Sequence, residues 1–170
     1  MKEKEIAAFV KPLYSGKDKK HDFGHILRVR RNLRRLLKAA GKEKYSEVDN
    51  RLLYFILYFH GLKNWVDNNK EKIIELGYSD DDVQSLLRHS SNPQKEEEKL
   101  VYDANLLDNV GTAGIRKALY VGKTLGRSRK DTIKFLEENI TKTKFCTPEG
   151  NKIGMKKIDD IKSFVNRNAK

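Results

Sequence analysis

LLYFILYF (residues 52–59), which runs straight into HGLKNW (60–65), decides the fold. The eight residues are apolar or aromatic without interruption, and as a helix they are apolar on most sides. Such a helix belongs in the middle of a bundle. It is far too short to span a bilayer, which takes about 20 apolar residues. Its end raises a chemical question. A buried helix closing on His60 usually gives that histidine a partner or a task, and Gly61 removes the side chain that would stand beside it.

The segments on either side are also helical. A short helix is expected over 2–13, then a charged loop over 14–20. From Asp22 to about Ala40, Ile26, Val29, Leu33, Leu36 and Leu37 recur at spacings of three and four and form one apolar stripe. Gly41 ends that helix, and Ser46 is a candidate cap for the next. Residues 65–76 make a further helix. Gly77, Ser79 and Asp82 then supply a stop, an N-cap and an N3 acid before a helix from Asp80 to about His89. Helices are expected again from 95 to 108, from 111 through the basic 122–130 stretch, and from Ile158 to Asn166. The stretch FCTPEGNKIGM (145–155) is expected to be the most loop-like. No stretch alternates apolar and polar residues cleanly enough to argue for a strand. The expected class is all-α, a bundle of seven to nine helices in a single domain over 1–170, a length suited to one core.

Composition narrows the setting. Of the 170 residues, 38% are hydrophobic, which suits a globular chain. One cysteine, Cys146, rules out an internal disulfide and fits a reducing compartment. With no secretory pattern at the start, the expected location is cytoplasmic, away from membranes. The formal charge of +12 favours polyanions or phosphorylated small molecules. The more ordinary reading of it is a solvated, lysine-rich surface.

Three polar positions lie among apolar neighbours: His21, Asp22 and His25 in KHDFGHILRV (20–29), His60, and Asp103 with Asp108 in LVYDANLLDNVG (100–111). Imidazoles and carboxylates from separate helices, converging in a bundle core, suit Mn, Fe, Co, Ni or Zn. Taken singly, each has an ordinary structural explanation. Asp103 could be a cap, His60 a core histidine bonded to a carbonyl, and His25 a surface residue.

The order His25-x-x-Arg28-Val29, an apolar helix ending in His60, and DANLLDNVGTAGIRKA (103–118) together resemble the HD-domain superfamily of metal-dependent phosphohydrolases. The resemblance covers about 18–125, most specifically Asp103–Arg116; helices over 129–167 would complete the bundle. It implies an HD-like helical fold and a divalent metal (Mn, Mg, Fe, Co, Ni or Zn) on His25, His60 and Asp103. It also implies supporting catalytic roles for His89, in LRHSS (87–91), and for Asp108. The implied substrate is a nucleotide or another phosphorylated small molecule, cleaved by metal-activated water. Arg28, Lys63, Arg88 and Arg116 are candidate phosphate-binding cations.

The chain departs from that family at two places. Gly61 stands where the His-Asp pair has its aspartate, and Asn105 replaces the second Asp of the last motif. Two substitutes for the missing acid are open. Asn64 or Asp67 could reach inward as ligands, or Lys63 could supply the positive charge without a metal. Three functional readings follow: a phosphohydrolase weakened by the lost aspartate, a catalytically retired scaffold that still binds a nucleotide or other phosphate ligand, and a basic helical nucleic-acid binder. The last would use RVRRNLRRLLK (28–38) and GKTLGRSRK (122–130).

Overall fold

A computed structural model describes residues 1–18, 21–41 and 43–168, so the end of the expected 14–20 loop lies outside the described residues. Among these the chain is all-α, with no strand. It divides into two compact units, Met1–Ala104 and Asn105–Lys170.

The first unit is built around α3 (Asn50–Phe59), the helix of the opening stretch. Leu52, Leu53, Phe55, Ile56, Leu57, Tyr58 and Phe59 are all buried, as an all-round apolar helix requires. It packs against α1 (Glu3–Val10), α2 (Phe23–Ala40) and α6 (Asp80–Arg88). Each such side chain, taken from water into this core, contributes about 1.5–3 kcal/mol. Residues 11–14 form a 3-10 turn rather than the continuation of α1 that the sequence suggested, with Pro12 at its start. Asp49, not Ser46, caps α3: its Oδ1 accepts from the amide of Arg51 at 2.8 Å.

Helix α2 buries Ile26, Val29, Leu33 and Leu36 on one stripe and leaves Arg31, Arg34 and Arg35 exposed. Its N-cap is Asp22, whose Oδ1 accepts from the amide of His25 at 2.9 Å. A cap of this kind stabilises by about 1 kcal/mol, and here it fixes the turn that carries a site residue. Gly41, with φ +85°, ends the helix. The single helix expected over 65–76 is interrupted at Asn69 into α4 (Lys63–Asn68) and α5 (Lys70–Glu75). Asn69 adopts a non-helical ψ of 40°, and its side chain donates to the Trp65 carbonyl at 2.7 Å. Counted as one broken helix, the pair brings the α-helices among the described residues to nine. The Ser79–Asp82 capping box at the start of α6 forms as the sequence suggested. Helix α7 (Glu96–Leu106) carries Asp103, and Asn32 of α2 donates to the Ala104 carbonyl at 3.0 Å, tying the two helices together.

In the second unit α8 (Gly111–Thr124), α9 (Arg129–Lys142) and α10 (Pro148–Asn168) pack pairwise. Here the sequence reading needs correcting, because most of the stretch expected as loop is the start of α10. Pro148 opens the helix with φ pre-set and no amide to satisfy, and Thr147 Oγ1 accepts from the Gly150 amide at 3.0 Å. Gly154 reads as a breaker but serves packing: a Cβ there would lie 2.1 Å from the Phe145 ring. Among the described residues, no helix is long and apolar enough to cross a membrane.

Candidate functional site

Three histidines meet where three helix ends of the first unit converge. His25 sits in the first turn of α2, His60 follows the last residue of α3, and His89 follows the last residue of α6. The His25 and His60 rings have centroids 5.2 Å apart, and those of His60 and His89 lie 6.1 Å apart.

His60 and His89 are oriented by the same local device. Each closes a helix, and each Nδ1 donates to the carbonyl of the leucine three residues back. His60 reaches Leu57 at 2.9 Å, and His89 reaches Leu86 at 2.5 Å. In a neutral imidazole that donor bond leaves Nε2 as the acceptor. His25 Nε2 faces His60 Nε2 at 3.2 Å and must therefore carry the proton between them. His89 is 1% exposed, and its Nε2 has no hydrogen-bond partner among the described residues. Burial holds both rings neutral. It pushes the His60 pKa down to about 3, aided by the nearby His25, His89 and Lys63, and the His89 pKa down to about 4, aided by Lys63.

Gly61 is packed against Tyr14. A Cβ on Gly61 would lie 3.0 Å from both Cε1 and Oη of that tyrosine. Tyr14 is 3% exposed and donates to the Tyr58 carbonyl at 2.9 Å, so the ring is pinned where a side chain at 61 would begin. Its hydroxyl stays protonated at any ordinary pH because burial raises its pKa. Gly61 does not have a positive φ, so space rather than backbone conformation works against a larger residue. Nothing in the sequence joins positions 14 and 61, and this was the part of the site the sequence did not reveal.

Beside His60 opens a cavity of about 360 Å3, walled by Lys17, His60, Gly61, Lys63, Asn64 and Trp65 with Leu13 and Leu62. None of these lining residues is acidic. Lys63 Nζ donates to the Leu87 carbonyl at 2.8 Å and to Ser90 Oγ at 2.7 Å, and Lys17 Nζ donates to the Gly61 carbonyl at 3.1 Å. Each ammonium has three donors, so both keep capacity for a ligand. Burial lowers the Lys63 pKa.

The remaining sequence candidates are placed as follows. Asp103 is fully buried on α7. Arg88 is held by Glu98, with Nη2–Oε1 at 2.5 Å and Nε–Oε2 at 3.1 Å. Asp67 is exposed and pairs with Lys70 at 3.2 Å, while Asn64 is exposed on the cavity wall. Arg28 lies half-buried on α2. Asp108 is buried and Arg116 exposed, both within the second unit.

The expected metal meets a poor donor set. Among the described residues, no group of three or more His, Cys, Asp or Glu could hold a metal ion. The His60 lone pair is engaged by His25, and a Cβ at 61 would meet the Tyr14 ring at 3.0 Å. With His25 donating toward His60, the residues as arranged offer a divalent metal no such donor set.

Neither a protein-family model nor a curated protein sequence matches the chain. Solved structures do. The Lin1889 protein of Listeria innocua superposes with a TM-score of 0.73 at 21% identity, over 100% of this chain and 97% of its own. YpgQ of Bacillus subtilis, solved in complex with ADP, gives 0.66 at 15% identity, over 97% and 92%. A predicted HD superfamily hydrolase from an uncultured Thermotogales bacterium gives 0.59 at 16% identity, over 98% and 90%.

Proposed function

We propose that this chain, whose fold is like that of YpgQ and of a predicted HD superfamily hydrolase, binds a nucleotide or similar phosphorylated small molecule in the cavity beside His60. One observation carries the reading: two ammonium groups, Lys17 and Lys63, wall the same pocket as a neutral imidazole, with no acid among the lining residues. A phosphate entering there meets charge-assisted donors in a partly desolvated site. The Trp65 indole offers an apolar wall for a base. YpgQ, which shares the fold, was solved with ADP, and this supports a nucleotide over other phosphates.

The arrangement favours binding over turnover. A metal-bound water would need anchors that Gly61 and Tyr14 do not supply, and orientation is a large part of catalysis. Metal-dependent phosphohydrolysis of the same ligand is the second reading. The 3.2 Å separation of the His25 and His60 Nε2 atoms favours it, since both could face one cation if His25 changed tautomer. Calorimetric titration with ADP, with and without Mn2+, tests the first reading, and phosphate release in the same samples tests the second. Absence of binding under both conditions would sink the proposal.

A further inference from the structure

We propose that the groove between α8 and α9 in the second unit binds a small anionic amphiphile, an acyl chain ending in a carboxylate. The groove encloses about 310 Å3, within the size range of small-molecule sites. Its floor is Leu136 and Ile161, both buried, and its sides include Val110, Ala118, Val121 and Ile140. Phe135, 42% exposed, forms part of the rim.

Two cations flank this apolar surface, and no acid is among the lining residues. Lys117 Nζ is held by Asn109 Oδ1 at 2.7 Å. The Arg127 guanidinium lies over the Phe135 ring, 4.6 Å from its centroid, and pairs with no carboxylate among the described residues. Stacking on the ring leaves its N–H edges available for a planar, bidentate anion. An apolar trough with a stacked arginine at its rim matches a carboxylate head on a hydrocarbon tail. A second copy of this chain fits less well, because a two-fold contact through the groove would bring its Lys117 and Arg127 set against an identical one.

Isothermal titration with octanoate, octanol and octylamine tests this, extended by hexanoate and decanoate. Octanoate should bind and octylamine should not. Affinity should rise about fourfold per added methylene, the equivalent of about 0.8 kcal/mol per buried CH2. Ala118→Trp, which fills the groove, should abolish binding. Arg127→Gln, a rim change that leaves the core untouched, should weaken octanoate about tenfold and leave octanol unchanged. Equal octanoate binding by wild type and Ala118→Trp would mean adsorption to a basic surface and would overturn the proposal. So would octylamine binding as well as octanoate, or an Arg127→Gln variant that binds octanoate normally. The Arg127→Gln result decides alone if Ala118→Trp does not fold. A wild-type dimer in light scattering, lost in Ala118→Trp, would assign the groove to a second copy and likewise overturn it.

Discussion

Tyr14 stands 3.0 Å from the point where a Gly61 Cβ would lie, and its hydroxyl is bonded to the Tyr58 carbonyl. The two residues come from the 3-10 turn after α1 and the one after α3. Together they close the position at which an acid would complete a His-Asp pair. Adding the acid alone therefore crowds a pinned ring. Gly61→Asp should destabilise the protein by about 1–3 kcal/mol, the usual range for overpacking, and should not raise metal content. Combined with Tyr14→Ala, the same substitution should cost less than the sum of the two single changes, because the vacated ring space accepts the new side chain. Urea melts of the four proteins and elemental analysis of each check this. Strict additivity would show that the two positions are not coupled.

Protonation of the histidine cluster should couple stability to pH. His89 has its pKa pushed down to about 4 in the folded protein and titrates near 6.5 when unfolded. Between those values the unfolded chain binds a proton that the native one refuses. Stability is therefore full above about pH 6.5 and falls as the pH drops, by up to about 1.4 kcal/mol per pH unit for each such histidine. His60 acts in the same direction. Urea midpoints at roughly pH 7, 6 and 5 should decline in wild type and decline less in His89→Asn. Parallel curves would contradict a neutral, buried His89.

Arg88 is a structural cation in this fold. Glu98 is fully buried, and its carboxylate takes both Arg88 bonds plus the Gln94 amide at 2.8 Å. Removing Arg88 leaves a buried charge short of its cation, which typically costs about 3–5 kcal/mol. Arg88→Met should lose stability on that scale in urea, and Arg88→Met with Glu98→Gln should recover a large part of it. A loss below about 1 kcal/mol for the single change would contradict this role.

The helical class was legible because its signals are local. The all-apolar run at 52–59, the stripe of α2 and the Ser79–Asp82 box each act within a few residues. The errors fell where tertiary packing overrides local preference. The stretch 145–155 read as a loop, yet most of it opens α10, where Gly154 is the residue that fits because Phe145 leaves no room for a Cβ. Of the site, His60 bonded to a carbonyl was one of the readings the sequence left open, and the structure bears it out through Leu57. His25, open to a surface reading, is instead buried against His60. Tyr14 was invisible, since its importance depends on a contact across 47 positions that no spacing rule describes. The same holds for Lys17, which the chain brings to the Gly61 carbonyl.

Ligand recognition by the cavity cations is the central claim, and Lys63 tests it. Its ammonium lines the pocket while anchored to Leu87 and Ser90. A charge-assisted bond to phosphate contributes about 1.5–3 kcal/mol, roughly ten- to a hundredfold in affinity. The most direct measurement is calorimetric titration of ADP into wild type and Lys63→Met without added metal, with thermal melts confirming that both are folded. The account predicts saturable binding to wild type, at least tenfold weaker in Lys63→Met. Equal ADP affinity in the two folded proteins, or binding that appears only with a divalent metal, would contradict it.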